Sequence, residues 1–333
     1  MTVPTFDVAI VSDFSQETNV RFETMTLLFL ASWLEFANRS LDLPLHIACI
    51  GQPPHTVMQL AERCNARITV HEPMFFGGFA NKLRGFEVDR QTDHLLLLDS
   101  DMLVLGEIQQ LLPLLGENCI SAAATNGPSI VPSHVWPKIF QLLDMPTPDY
   151  DVIPLNIELD TYQSEEYRDR TDFPPYYNGG IVFAPWESQL GDVWCNHLER
   201  IRPLTQRKAR RSNQPSLATA ITYLRQQGTD FELLPPAFHT RWQHLASGVL
   251  RTDQSRLMHT IGFGRWSNRE DTNSALENIN LYLSNTLSMT MRLREHQSTT
   301  ERERYMQSIE SKIEECHRVH QIMQNLYQKY IIA

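Results

Sequence analysis

His94-Leu95-Leu96-Leu97-Leu98-Asp99-Ser100-Asp101 joins a continuous apolar run to two acids placed two positions apart. A run that does not alternate predicts a strand buried on both faces, the kind found at the centre of a parallel sheet. Upstream the pattern is strand, loop, helix. Val8–Ser12 reads as a β-branched strand ending in the polar loop Asp13–Thr18, and Asn19–Phe36 carries apolar residues at helical spacing. Leu45–Ile50 then reads as a strand, Pro54–Cys64 as a helix opened by proline, Arg67–Val70 as a strand and Phe79–Val88 as a helix. Such alternation predicts an α/β, Rossmann-like fold with a mostly parallel central sheet. Ligands in open α/β sheets bind beyond the carboxyl ends of the strands, so the residues after Leu98 are where chemistry is expected.

Composition narrows the possibilities. At 333 residues, 42% hydrophobic and 20% charged, the chain can bury a full-sized core, which excludes disorder and a disulfide-stapled miniprotein. A net charge of −10 argues against nucleic acid as a partner. The five cysteines are odd in number, scattered and never in a CxxC pair, which predicts a reducing compartment rather than a disulfide framework or zinc ribbon. No basic segment opens the chain, and the apolar stretch Met25–Leu34 meets Glu35 well short of the ~20 residues a membrane span needs. The expectation is a cytoplasmic protein, at most peripheral to a membrane, with no transmembrane segment.

Asp99 and Asp101, directly after a buried strand, would raise each other's pKa unless a cation intervened. A hard divalent ion suits carboxylate oxygens, magnesium or manganese, and an added imidazole tilts the choice toward manganese. By itself the spacing equally fits one capping and one solvated aspartate. Further along, Tyr176-Tyr177-Asn178-Gly179-Gly180 leads into the apolar strand Ile181–Ala184, where paired glycines permit close approach of a ligand or form an ordinary turn. Leu257–Trp266 joins His259 to the glycines Gly262 and Gly264 and the cation Arg265.

Taken in order, NKLRGF (Asn81–Phe86), LLLLDSDMLVL (Leu95–Leu105), YYNGGIVF (Tyr176–Phe183), SNQPSLATAI (Ser212–Ile221) and MHTIGFGRW (Met258–Trp266) resemble the GT-A glycosyltransferases of family 8, the glycogenin and lipopolysaccharide galactosyltransferase type. The resemblance runs from about Val8 to Trp266. It implies a GT-A fold and retaining transfer of a hexose from a UDP-sugar. Asp99 and Asp101 match the DxD metal ligands and His259 the third protein ligand to Mn2+ (or Mg2+). Lys82 falls where the family has a basic residue against the donor, and Ser100 sits inside the DxD triplet. Val11, Ser12 and Asp13 occupy the uridine-binding position, while Asn126, Asn178, Gly179 and Gly180 fall along the donor side. Gly262 would lie against phosphate, and Arg265 stands for the family's late lysine, one residue early. Gln214 and Asn213 match the catalytic positions beside the reacting sugar face.

Two departures accompany the match. Asn213 stands where the family usually has aspartate before Gln214, and Asn126 ends an A-A-x-x segment that usually ends in aspartate. An amide can hydrogen-bond sugar hydroxyls, but it supplies no negative charge to an oxocarbenium-like centre. This leaves a second reading, a degenerate nucleotide-binding protein that acts as a scaffold through its tail. A nucleotidyltransferase ranks below both, since no glycine-rich, lysine-containing loop follows the first strand.

The expected organisation is a catalytic domain over residues 1–268 and a helical tail over 269–333. Within the first, residues 126–176 are rich in proline and acid and too long for a simple connection, which predicts a lid or acceptor-side insertion. The motifs do not specify whether the acceptor is a glycan, a protein or a lipid-linked molecule. The basic run Gln206–Arg211 fits a solvated segment better than an electropositive lip. Ala275–Met291 and Thr300–Tyr330 read as helices. In the second, Ile309, Ile313, Cys316, His320, Met323, Tyr327 and Tyr330 recur at alternating four and three spacing. That seam fits a homodimerisation arm or a helix folded back on its own domain, with the dimer slightly preferred.

Overall fold

The computed structural model describes residues 6–15, 20–74, 78–116, 118–124, 131, 135–148, 176–204, 209–241, 244–245, 250–260, 314–315 and 317–332. Of the expected lid over 126–176, only 131, 135–148 and 176 are among these residues, and the helix Trp136–Leu142 within it buries Trp136, Ile139 and Phe140 in the core. The rest of that segment with Asn126, the basic run before 209, Cys316, and residues 261–313 with Gly262 and Arg265 lie outside them.

Seven strands form the main sheet: β1 (Asp7–Asp13), β2 (Leu45–Ile50), β3 (Arg67–His71), β4 (His94–Asp99), β6 (Cys119–Ala124), β7 (Tyr177–Pro185) and β8 (Asp230–Leu233). Their order is β3-β2-β1-β4-β7-β6-β8. The pairs β1/β2, β2/β3, β1/β4 and β6/β8 are parallel, whereas β7 runs antiparallel to both β4 and β6. A separate ribbon pairs β5 (Met102–Val104) antiparallel with β9 (Leu257–His259). The helices are α1 (Val20–Phe36), α2 (His55–Arg63), α3 (Leu111–Leu115), α4 (Trp136–Leu142), α5 (Leu190–Ile201) and α6 (Ala209–Gln226). This is the α/β architecture expected, with one reversed strand that periodicity could not reveal.

Strand β4 is buried on both faces. Leu96 and Leu98 join Val8, Ile10, Phe29 and Trp33 on the α1 side, while Leu95 and Leu97 join Ala9, Val11, Trp136 and Trp194 on the other. Each such side chain contributes about 1.5–3 kcal/mol relative to exposure, so β4 is the rail that fixes where Asp99 emerges. The segment expected as an α-helix at Phe79–Val88 is a 3-10 helix over Gly78–Glu87. It lies so close to the sheet that a side chain at Gly85 would strike Leu97 and come within 3.1 Å of Val11. Tight apposition to β1 and β4, rather than amphipathic spacing, sets its course.

The described end of the tail folds back. Val319 and Met323 are fully buried, Leu326 nearly so, and all three belong to the same core as α1. Glu35 at the end of α1 accepts hydrogen bonds from Lys329 Nζ (2.5 Å) and Tyr330 Oη (2.5 Å), and Glu315 Oε2 accepts one from the Thr252 backbone (2.8 Å). The buried stripe is centred on Val319, Met323 and Leu326, with Tyr327 and Tyr330 at its edge. Of the two readings of the seam, the contacts of its described part match a helix folded onto its own domain and not the slightly preferred dimerisation arm.

Candidate functional site

The carboxyl edge of β1 and β4 is met there by the start of β7, because an antiparallel strand presents its first residues where its neighbours end. The register Leu98↔Ile181 sets Gly180 beside Asp99. On β6 the pairing jumps from Ala122↔Val182 to Ala123↔Asn178, so Gly179 and Gly180 sit in a bulge. After Asp99 the chain turns through buried Ser100 and half-buried Asp101 into β5, where Met102 pairs with His259 of β9. The ribbon thus carries an imidazole from 158 residues downstream to the acidic pair. Thr260 secures it, since its N–H (2.9 Å) and Oγ1 (2.6 Å) both donate to the Asp101 carbonyl, a pair of bonds spanning 159 residues.

His259 Nε2 lies 3.1 Å from Asp101 Oδ1 and 4.0 Å from Asp99 Oδ2. One ligand atom from each residue falls within 4.8 Å of the others, so the three could hold a metal ion together. A six-coordinate cation with ligands at ~2.1 Å puts adjacent ligands about 3 Å apart and opposite ones about 4 Å, so the spacing fits a dication with little rearrangement. The O,O,N donor set suits Mn2+ or Mg2+. Gly180 makes the space: a Cβ there would lie 2.6 Å from Asp99 Oδ2, 2.7 Å from His259 Cε1 and 2.8 Å from Asn178 Oδ1. The Gly180 N–H donates to Asn178 Oδ1 (2.7 Å), which pins the bulge.

Cations surround the pair. Lys82 Nζ donates to Asp99 Oδ1 (2.7 Å) and to the Gly179 carbonyl (2.9 Å). Burial alone would push the Asp101 carboxyl up, but the charge and hydrogen bond of His259, then Arg21 and Lys82, hold it below its ordinary range. Arg21, in the first turn of α1, was not anticipated from sequence. Its guanidinium feels both Asp101 and Asp99, burial shifts its pKa downward against their pull, and its buried Nε has no partner among the described residues. His239, also missed, ends the 3-10 helix Pro236–His239 and lies against His259, with His239 Nε2 2.9 Å from His259 Nδ1. Burial, then repulsion from Arg241, His259 and His244, keeps its pKa well below ordinary. A helix-start arginine and a lone histidine carry no motif; only the tertiary fold marks them.

The other expected residues are placed as follows. The Ser12 hydroxyl bonds Thr26 Oγ1 (2.6 Å) on the α1 side of the sheet, whereas Val11, the register partner of Asp99, packs with Leu95 and Leu97 on the opposite face. Asp13 Oδ1 accepts from the Ser15 N–H (3.1 Å) and hydroxyl (2.6 Å), and Oδ2 from Asn81 Nδ2 (2.9 Å), which orders the loop after β1. Asn213 is buried in the first half of α6, its Oδ1 without a partner among the described residues, and Nδ2 would stand 3.4 Å from a Cβ at Gly179. Its carbonyl accepts from Trp194 Nε1 (3.1 Å) and Ser216 Oγ (2.7 Å). Gln214 follows, half-buried. Among the described residues no helix is long and apolar enough to cross a membrane.

Residues 17–224, more than half of the chain, match the sequence model of the Rhodobacterales glycosyltransferase domain. That span includes Lys82, Asp99, Asp101, Asn178–Gly180, Asn213 and Gln214, and ends before His259. No curated protein matches the chain. Among solved structures, the galactosyltransferase LgtC in complex with donor and acceptor sugar analogues is 15% identical, with a TM-score of 0.49 over 84% of this chain and 96% of that one. The glycosyltransferase GlyE of Streptococcus pneumoniae TIGR4 is 11% identical, with a TM-score of 0.49 over 86% of this chain and 63% of that one. Mouse xyloside xylosyltransferase 1 in its apo form is 13% identical, with a TM-score of 0.44 over 77% and 97%.

Proposed function

Since the chain belongs to the Rhodobacterales glycosyltransferase domain family, we propose that it is a metal-dependent, retaining glycosyltransferase that moves a hexose from a UDP-sugar to an acceptor. The observation that supports this most is the meeting of Asp99, Asp101 and His259 within 4.8 Å, with Lys82 on the Asp99 carboxylate. A divalent cation, Mn2+ or Mg2+, bound by those three residues supplies Lewis-acid neutralisation of the diphosphate as it leaves.

The protein's own groups do the rest. Lys82, held between Asp99 and the Gly179 carbonyl, keeps an ammonium at the phosphate position. Arg21 adds a second fixed cation, so charge that develops on the leaving group meets preorganised partners rather than water. Gly179 and Gly180 leave room for the donor against the sheet edge, and the backbone of Val11–Asp13 borders the base. Asn213 and Gln214 offer hydrogen bonds to the sugar. As an amide, Asn213 orients hydroxyls without supplying negative charge. In this reading residues 1–268 are the catalytic unit, 126–176 its lid or acceptor-side insertion, and the tail braces α1.

Calorimetry of UDP binding, with and without Mn2+, tests the proposal. Binding that depends on Mn2+ is expected, and failure to bind under either condition would sink it. The amide at Asn213 favours one competing reading, a nucleotide-binding scaffold without turnover. Steady release of UDP from any member of a UDP-sugar panel eliminates that alternative.

A further inference from the structure

His239 sits behind His259, on the side away from the carboxylates. Its Nε2 is 2.9 Å from His259 Nδ1, and His239 and His259 are 3% and 5% exposed. The contact is not a chance approach of two mobile rings. Thr240, the next residue, is clamped to β9 by two backbone bonds, its N–H to the Leu257 carbonyl (2.9 Å) and the His259 N–H to its own carbonyl (2.8 Å). Thr240 pairs with Met258 in a parallel bridge. The backbone therefore holds the two histidines side by side without any ligand.

We propose that His239 is a positioning residue for metal capture: its Nε2 accepts a hydrogen bond from His259 Nδ1–H, so that Nε2 is the nitrogen of His259 left to coordinate a cation beside Asp99 and Asp101. This rests on the metal reading of the site given above. An imidazole coordinates through an unprotonated nitrogen, and the partner of its other nitrogen chooses which one that is. Here the rear nitrogen faces a buried imidazole nitrogen 2.9 Å away instead of the more usual carboxylate or carbonyl. His239 must then carry its own proton on Nδ1. A carboxylate in that place would add a third negative charge behind Asp99 and Asp101; an imidazole fixes the tautomer without one.

The test uses the full chain and Mn2+ alone, read by the electron paramagnetic resonance signal of free Mn2+. His239→Leu, which keeps bulk but cannot accept, is expected to weaken Mn2+ binding by about 10- to 100-fold. His239→Gln, whose Oε1 can accept from His259, should remain within about threefold of wild type, a rescue that a purely space-filling role would not give. Asp101→Asn is the control for the site itself. If wild type and Asp101→Asn bind Mn2+ equally or not at all, the metal reading fails. If Asp101→Asn weakens binding while His239→Leu matches wild type, the metal reading stands and this inference is overturned. Should His239→Leu fail to fold, the wild-type protein decides: side-chain 15N NMR of the Mg2+-loaded chain should show His239 protonated at Nδ1 only. A proton on His239 Nε2 in that state would overturn the inference.

Discussion

Gly180→Ala adds a single methyl group at the point where Asp99 and His259 meet the backbone of β7. Gly180 has no left-handed φ, so alanine is conformationally acceptable and only space is at issue. The added carbon would fall 2.6 Å from Asp99 Oδ2, 2.7 Å from His259 Cε1 and 2.8 Å from Asn178 Oδ1. Ordinary contacts of these types lie near ~3.3–3.7 Å, so each neighbour must retreat by about half an ångström or more. Overpacking of this degree costs about 1–3 kcal/mol. The cheapest relief moves the Asp99 and His259 side chains apart, because the Gly180 backbone is tied by its N–H to Asn178 Oδ1 and by the neighbouring Ile181 to Leu98 of β4. The strain should therefore appear as lost affinity, about 5- to 100-fold weaker Mn2+-dependent UDP binding at ~1.4 kcal/mol per tenfold. Isothermal titration at saturating Mn2+ measures it, with thermal unfolding recorded in parallel. Gly106→Ala is the control, since its Cβ would meet Arg256 Cδ and Nη1 at 3.1 and 3.2 Å, the far part of a flexible side chain. UDP affinity of Gly180→Ala within twofold of wild type would refute the placement of Gly180 against two metal ligands.

Lys82→Met keeps the stem and removes the ammonium bonded to Asp99; UDP affinity should fall by about tenfold, as expected for a lost charged hydrogen bond, and calorimetry reads it. Met323→Ala should lower stability by about 2–5 kcal/mol because Met323 is fully buried with α1. Met58→Ala, at a residue 42% exposed, should change it by no more than ~0.5 kcal/mol, and equal melting temperatures for the two variants would contradict a docked tail. For Asp7, burial raises the pKa, but hydrogen bonds from His46, Thr92 and the Gln91 and Thr92 backbone outweigh it and leave a net depression from 3.8. A carboxylate depressed in the folded state stabilises above its unfolded pKa and loses that contribution as pH falls through the folded value. Wild type should thus lose more of its melting temperature below pH ~4 than Asp7→Asn does, and parallel acid profiles would contradict the assignment.

The parts of the fold that depend on local pattern were legible in the sequence, and the parts that depend on pairing were not. Leu45–Ile50 coincides with β2, and Val8–Ser12 and His94–Leu98 differ from β1 and β4 by a residue at one or both ends. Burial on both faces leaves a continuous apolar run, and that run is visible. The reversal of β7 leaves no such trace, because a buried antiparallel strand has the same composition as a parallel one. The β5/β9 ribbon is built from two three-residue strands, too short for any periodicity. The site divides in the same way. Asp99, Asp101 and His259 stand out through motif order, and the structure brings them together. His239 and Arg21 occupy unremarkable sequence and acquire meaning only from what they touch. The tail seam showed its helical spacing but not its partner, because an apolar stripe reads the same whether it covers a second copy or its own α1.

A crystal grown or soaked with Mn2+ and UDP, with data collected near the manganese absorption edge, tests the central claim most directly. The account predicts an anomalous peak within ~2.0–2.4 Å of a carboxylate oxygen of Asp99, one of Asp101 and Nε2 of His259. Bound UDP with no anomalous density among these three residues, or with manganese held elsewhere, would contradict it.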